Sequence, residues 1–219
     1  MVGDRIGLLG GTFNPIHCGH LRVATEVLEK TRLSRILFIP SHIPPHKKLK
    51  DVASPEDRFA MVRLALAGCR RFIASAVEIE GKGKSYSIIT LEKIRAAYPG
   101  AEVFFIVGVD AFLEIETWRS YRRLLSHSHF IVVSRPGHRL EEAKSVLAGR
   151  FLPAIYPLRG RTPIKDDWLE RYRIFLLPIH ALKISSTDIR QRVKSGRSIR
   201  RLVPQAVEAY INKQKLYQE

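Results

Sequence analysis

The sequence predicts an α/β fold: a doubly wound parallel sheet covered by helices on both faces, with a small helical part at its C-terminal end. Two patterns carry this reading. Short runs of Ile, Val, Leu and Phe alternate along the chain with segments whose apolar residues recur at helical spacing. Strand-helix alternation of this kind is the mark of parallel strands joined by crossover helices. A third observation concerns the breaks. Segments rich in Gly, Pro, His and Ser follow the apolar runs, where such sheets bind ligands beyond the carboxyl ends of their strands. Strand-to-helix loops also collect Gly and Pro by default, so these segments are not independent signals. At 219 residues the chain is long enough for one domain with a substantial core and no staples.

Each element has its own justification. "RIGLL" (5–9) is a buried strand bounded by Gly10 and Gly11. Leu21, Ala24, Val27 and Leu28 then mark a helix. "RILFIP" (35–40) is a second strand, stopped by Pro40, and a Pro-rich loop follows it. Ser54 is an N-cap with Pro55 at the first helical position, and Phe59, Val62 and Leu66 form that helix's apolar stripe. "RFIASAVEI" (71–79) is a third strand, and the helix after it points Ile88, Leu91 and Ile94 inward. "EVFFIVG" (102–108) and "HFIVVS" (129–134) are strands, and a short helix is expected near 139–148. Residues 149–172 carry no clear pattern. "RIFLLPI" (173–179) is the last strand. "ISSTDIRQRVKSG" opens with hydroxyl cappers and closes on Gly196, so it is a helix. Val203, Val207, Tyr210 and Ile211 mark a final helix.

The formal net charge is +16, and residues 159–201 hold 12 basic against 4 acidic residues. Such a surplus attracts polyanions. Few aromatics interleave with it, so nucleic acid is not the expected partner. Cys18 and Cys69 make no disulfide framework, and reduced thiols in a cytoplasmic protein are expected. The first residues lack the apolar length of a signal peptide, and no run reaches the length of a membrane span.

The chemistry concentrates in "GGTFNPIHCGH", Gly10 to His20. Two glycines permit a sharp turn and close approach of the backbone to a ligand. His17 and His20 are three residues apart where a helix begins, so both imidazoles share one face, and Gly19 leaves the space between them open. A helix start favours anions, and histidine near its own pKa adds positive donors. Phosphate binding and a plain structural turn are about equally consistent with this spacing. A metal site is the weaker alternative, because no third ligand stands nearby. "PPHKK" adds Lys47 on a stiffened loop, and "ISSTDIR" adds hydroxyls and Arg190 at another helix start. The sequence has no GxSxG, GxxxxGK[ST] or GxGxxG motif. A site of cations and N–H donors has no nucleophile of its own, so the substrate must supply one. A phosphate monoester attacking a nucleoside triphosphate at its α-phosphorus fits.

"GGTFNPIHCGHL", "PPHK", "SYS", "IVGVDAF…W", "RPG" and "ISSTDIR" occur in the order found in the nicotinate-mononucleotide adenylyltransferase family, which the chain resembles from about Gly7 to Tyr217. The HxGH element alone marks a wider nucleotidyltransferase superfamily. The resemblance implies a Rossmann-like nucleotidyltransferase domain over 1–182, with 183–219 as a C-terminal helical part packed on it. It implies adenylyl transfer from ATP to nicotinate mononucleotide, giving deamido-NAD and pyrophosphate, with Mg²⁺ on the triphosphate. It further implies that His17 and His20 hold ATP phosphates and that His20 stabilises the transition state. Lys47 would meet a phosphate, and Ser186 and Arg190 would clamp the leaving group beside Ser185 and Thr187. Gly10, Gly11, Thr12, Phe13, Gly108 and Asp110 would line the ATP site. Trp118 would stack on the pyridine ring beside Tyr86, amides near Ser87 and Arg119 would receive the carboxylate, and Arg135 would lie near the nucleotide. Without the family, Tyr86 and Trp118 are packing residues and Asp110 is a helix N-cap. Asn14 and Ser87 stand where the family often has Asp and Thr; neither change removes a backbone amide. The resemblance implies no membrane partner and leaves a homo-oligomer open. Two other readings stay open: the same chemistry on another phosphate monoester such as nicotinamide mononucleotide, and a non-catalytic module binding RNA or DNA.

Overall fold

Seven parallel strands form the centre of the computed structural model, which describes residues 4–42, 52–81, 83–146, 154–161 and 163–218. In chain order they are β1 (Arg5–Gly11), β2 (Arg35–Pro40), β3 (Phe72–Ala74), β4 (Glu102–Gly108), β5 (His129–Val133), β6 (Ala154–Pro157) and β7 (Tyr172–Leu177). Across the sheet the order is β3-β2-β1-β4-β5-β7-β6, with every pairing parallel. The helices are α1 (Cys18–Thr31), α2 (Pro55–Leu66), α3 (Ser87–Ala97), α4 (Val109–Leu113), α5 (Tyr121–His127), α6 (Asp166–Arg171), α7 (Ser186–Lys194) and α8 (Gln205–Lys213).

Period-two alternation divides the apolar side chains between two cores. Ile36, Phe38, Phe104 and Ile106 face one layer, with Val23, Val27, Val62, Ile189, Val207 and Ile211 from α1, α2, α7 and α8. Ile6, Leu8, Leu37, Val103 and Phe105 face the other, with Ile88, Leu91, Phe112 and Leu124 from α3, α4 and α5. α7 and α8 therefore share a core with the sheet. Phe38, Phe104, Phe112, Phe130 and Phe175 are all fully buried, and each such side chain contributes about 2–3 kcal/mol of transfer free energy. Gly7 is required by this packing, since a Cβ there would meet Ile106 Cδ1 at 2.8 Å.

The strand order has a consequence for function. β1 and β4 are neighbours, yet the chain leaves β1 toward β2 on one side and leaves β4 toward β5 on the other. α1, after β1, covers the first layer, and α4, after β4, covers the second. The carboxyl ends of β1 and β4 thus border the crevice where open α/β sheets bind ligands.

Four local expectations are corrected. Gly10 and Gly11 belong to β1 and do not turn; the turn is made by Phe13 at φ 48° and a cis Asn14–Pro15 bond. The run 71–79 is a strand only at 72–74. Ser75 N–H still donates to Phe38 O at 2.9 Å, but the chain then turns so that Glu78 accepts a hydrogen bond from Thr90 Oγ1. The helix near 139–148 is a 3₁₀ turn, Leu140–Lys144. The unassigned stretch 149–172 contains β6 and α6. In α2, Phe59 is half-buried, whereas Arg58 and Met61 are fully buried. Among the described residues no helix is long and apolar enough to cross a membrane.

Candidate functional site

The histidine pair sits on a rigid helix start. His17 is the N-cap of α1 and His20 is its third residue. The backbone N–H of His17 donates to His20 Nδ1 at 3.2 Å. Nδ1 is therefore an acceptor, and in the neutral ring the proton is on Nε2. The two rings stack with centroids 3.7 Å apart and planes at 25°. Gly19 makes this possible, because a Cβ there would lie 2.9 Å from His17 Nδ1. His17 is 4% exposed, and its Nδ1 is buried without a hydrogen-bond partner among the described residues. Burial first, and the nearby Arg135 charge second, lower its pKa to about 4. His17 is thus neutral at pH 7, which corrects the expectation of a histidine near its own pKa. Phe13 meets the site through its ring's support of His20. Its ring is 2% exposed and lies edge-on to His20 at 5.0 Å, so it supports the imidazole from the core. That ring also explains Gly11, whose Cβ would meet it at 3.3 Å.

Distant parts of the chain hold the loop before α1. The Arg58 guanidinium donates to the carbonyls of Thr12, Ser41, His42 and Ala53 at 2.7–3.0 Å. It joins the loops after β1 and β2. Asn14 Oδ1 accepts from Ala53 N–H at 3.0 Å and from the Tyr217 hydroxyl at 2.8 Å. Ser186 Oγ donates to Pro15 O at 2.9 Å, and Arg190 Nη1 donates to Asn14 O at 3.0 Å. The starts of α1 and α7 therefore adjoin, as convergence on one ligand requires. Ser185 caps α7 by accepting from Asp188 N–H, and Thr187 Oγ1 lies 3.5 Å from Arg190 Nη2. One amide expected to face an anion is used internally, since Cys18 N–H donates to Leu202 O at 2.9 Å.

The second wall comes from β4 and β5. Gly108, not Asp110, caps α4. Asp110 lies in that helix's first turn, and its Oδ1 is 3.7 Å from Arg135 Nε. A Cβ on Gly108 would meet Asp110 Oδ1 at 2.2 Å and Arg135 Nε at 2.6 Å, so glycine is the residue that lets the arginine cross here. The third group is Tyr86, Ser87, Trp118 and Arg119. Tyr86 caps α3 and Ser87 begins it. The Arg119 guanidinium lies over the Tyr86 ring at 4.9 Å, and half-buried Trp118 packs against the same core as Tyr86. Ser85 Oγ accepts from His42 N–H at 3.0 Å, tying this wall to the loop after β2. Lys47 lies outside the described residues.

Four buried side-chain polar atoms have no hydrogen-bond partner among the described residues: His17 Nδ1, Ser41 Oγ, His42 Nδ1 and Arg135 Nε. All four follow the carboxyl ends of β1, β2 and β5. Buried polar groups are normally satisfied, so these atoms make this rim the candidate ligand site. Sequence reasoning singles out His17 and Arg135 but not Ser41 and His42, although "PSHIPP" after a strand contains their signal. Arg58 and Tyr217 have none, because a buried arginine within a helical stripe and a terminal tyrosine look ordinary. No group of three or more His, Cys, Asp or Glu able to hold a metal occurs among the described residues.

Comparison with known proteins gives the same reading. The cytidylyltransferase-like family model matches residues 8–192. A protein of Desulfatibacillum aliphaticivorans named "Probable nicotinate-nucleotide adenylyltransferase" is 45% identical, over 97% of this chain and 99% of its own length. One of the same name from Pelobacter propionicus is 43% identical, over 98% and 99%. Among solved structures, Plasmodium falciparum nicotinic acid mononucleotide adenylyltransferase complexed with NaAD has the same fold. The TM-score is 0.72 at 17% identity, covering 98% of this chain and 97% of that one. Nearly full-length identity at this level, with the paired imidazoles and the late serine-rich helix start meeting at one edge of the sheet, places the chain in the nicotinate-nucleotide adenylyltransferase family.

Proposed function

We propose that the protein joins ATP and nicotinate mononucleotide into nicotinate adenine dinucleotide, releasing pyrophosphate. The observation that carries this is the set of buried polar atoms after the carboxyl ends of β1, β2 and β5 that have no hydrogen-bond partner among the described residues, with Arg190 bonded to the loop after β1. A phosphate oxygen of the mononucleotide attacks the α-phosphorus of ATP. The bond to the bridging oxygen of pyrophosphate breaks as the new one forms. The acceptor is mostly dianionic at pH 7 (its second pKa is about 6), so no protein base is needed. Catalysis then consists of alignment and of charge neutralisation along the triphosphate.

The residues divide the work. His20 donates from Nε2 to the α-phosphoryl group as it becomes five-coordinate. Neutral His17 supplies one hydrogen bond from a dry position. Arg190 and the start of α7 hold the leaving pyrophosphate, with Lys47 as a further phosphate contact. Arg135, Asp110 and Gly108 flank the adenosine. Trp118 and Tyr86 hold the pyridine ring, and amides near Ser87 and Arg119 take its carboxylate. Mg²⁺ bound to the triphosphate would neutralise its charge; this donor set of arginines, imidazoles and amides fits a metal brought in by ATP.

Pyrophosphate release with nicotinate mononucleotide, compared with nicotinamide mononucleotide, tests the assignment. Turnover at least about tenfold faster with the acid is expected, from one charge-assisted contact. Equal or faster turnover with the amide overturns the acceptor, and no release with either overturns the activity.

A further inference from the structure

The end of the chain returns to the loop that carries the histidines. After α8, Lys215 and Tyr217 adopt φ 52° and 64°. Non-glycine residues pay for this conformation and keep it only where surrounding structure enforces it. The bend brings the Tyr217 hydroxyl to Asn14 Oδ1 at 2.8 Å, across 203 residues of sequence. Asn14 is 3% exposed, and its own carbonyl is the acceptor for Arg190. The same residue is thus held from the C-terminal segment and from α7. Arg58 and Arg190 are near enough to act electrostatically on the phenol. Burial outweighs their opposing charges and keeps its pKa well above the ordinary value, so it remains a donor. Tyr210, seven residues earlier in α8, makes a similar bond to a different place: its hydroxyl donates to Asp57 Oδ1 at 2.9 Å on α2.

We propose that Tyr217 is a positioning residue for the ATP site: through Asn14 it fixes where the His17–His20 loop and Arg190 meet. This rests on the functional reading above. Tyr210 is its structural counterpart, bonding the same C-terminal segment to the body of the protein without touching that loop.

Tyr217→Phe removes only the hydroxyl. The expected result is ATP affinity weakened about fivefold to tenfold, the value of one buried hydrogen bond, with the KM of the mononucleotide changed less than twofold. Both phenylalanine variants should lower the thermal unfolding midpoint by similar amounts, since each loses one hydroxyl bond, but Tyr210→Phe should leave ATP affinity unchanged. In an Asn14→Ala background, adding Tyr217→Phe should have no further effect on ATP affinity. Calorimetric titration with ATP reads these affinities without turnover, so a protein that binds ATP but forms no dinucleotide would defeat the functional reading and still test this one. Equal effects of the two phenylalanine variants on ATP, or additivity with Asn14→Ala, would overturn the proposal.

Discussion

The loop from Thr12 to His17 takes hydrogen bonds from residues 39, 46, 171, 176 and 203 positions away in the sequence. The wall that bears Trp118 is held differently. Trp118 N–H bonds to Ile115 O, Thr117 Oγ1 to Glu114 O and Tyr121 N–H to Trp118 O, all within three residues. Arg119 reaches further only by lying over Tyr86. One wall is fixed by the whole fold, and the other is a local structure attached to the second core. Charge developing on a phosphoryl group is best met by donors that need not move. A ring that only has to be held and oriented can be met by a wall that adjusts. The difference teaches where binding and chemistry should come apart when the protein is altered.

The strongest way to break the comparison is His20→Ala. Loss of a donor aimed at the transition state lowers kcat about a thousandfold, while substrate KM values change little. His20 is half-exposed, so thermal unfolding should move by only a few degrees. A kcat within tenfold of the unaltered protein would remove His20 from the mechanism. Next in size is Arg58→Met, which leaves four carbonyls, one of them fully buried, without their donor. Some will find water, and the expected loss is about 4 kcal/mol in denaturant unfolding. If that loss is under 1 kcal/mol, the loops after β1 and β2 do not depend on each other, and the first wall is less fixed than its hydrogen bonds imply.

The buried His17 gives a smaller effect with a defined sign. Its pKa is about 4 in the folded protein against 6.5 when exposed. Between these values the unfolded chain binds the extra proton, so stability rises with pH from 4 to 6.5 and is lost as pH falls. The lowering amounts to about 3 kcal/mol at pH 4. Glu26 adds a separate loss below about pH 4.5. Burial alone would raise its pKa, but Lys30, the His180 N–H and Arg22 bring it down to about 2. Replacing His17 with Asn removes its share of the first window, leaves the share of buried His129, whose pKa burial and Arg173 also lower, and leaves the second window of Glu26. Denaturant midpoints of both proteins from pH 4 to 7 decide it: identical profiles would mean that the imidazole is not kept neutral by the fold.

How much of this was legible follows from the range of the interactions. β2 and β4 match their sequence runs because a strand buried on both faces is apolar at nearly every position. Ser54 matches because a cap is local: its Oγ accepts from Asp57 N–H at 3.0 Å. The histidine spacing was legible for the same reason. The run at 71–79 misleads because Glu78 is recruited by Thr90 on α3, an interaction with no local signature. β6 was invisible because four residues at a sheet edge carry too little pattern. In the site, Gly10 and Gly11 suggested a turn, but the turn lies three residues on, and Gly11 is small because Phe13 needs the space. Arg58 illustrates the general limit. Its role is set by four carbonyls in three segments, and only the folded chain brings them together.

Trp118→Leu sharpens the comparison with the smallest expected effect. Leucine keeps apolar contact with the second core, in which Trp118 is half-buried, but cannot stack on a flat ring. Stacking on an aromatic side chain contributes roughly 1–3 kcal/mol. The KM for nicotinate mononucleotide should therefore rise about tenfold. The KM for ATP should stay within twofold, because among the described residues the hydrogen bonds of the 3₁₀ turn Ile115–Thr117 that sets the tryptophan are local and do not reach the His17–His20 loop. Steady-state kinetics with each substrate varied in turn separates the two constants. An unchanged mononucleotide KM would make Trp118 a packing residue. An equal rise in both constants would mean that the locally built wall and the globally anchored one move together, and the contrast between them would not govern binding.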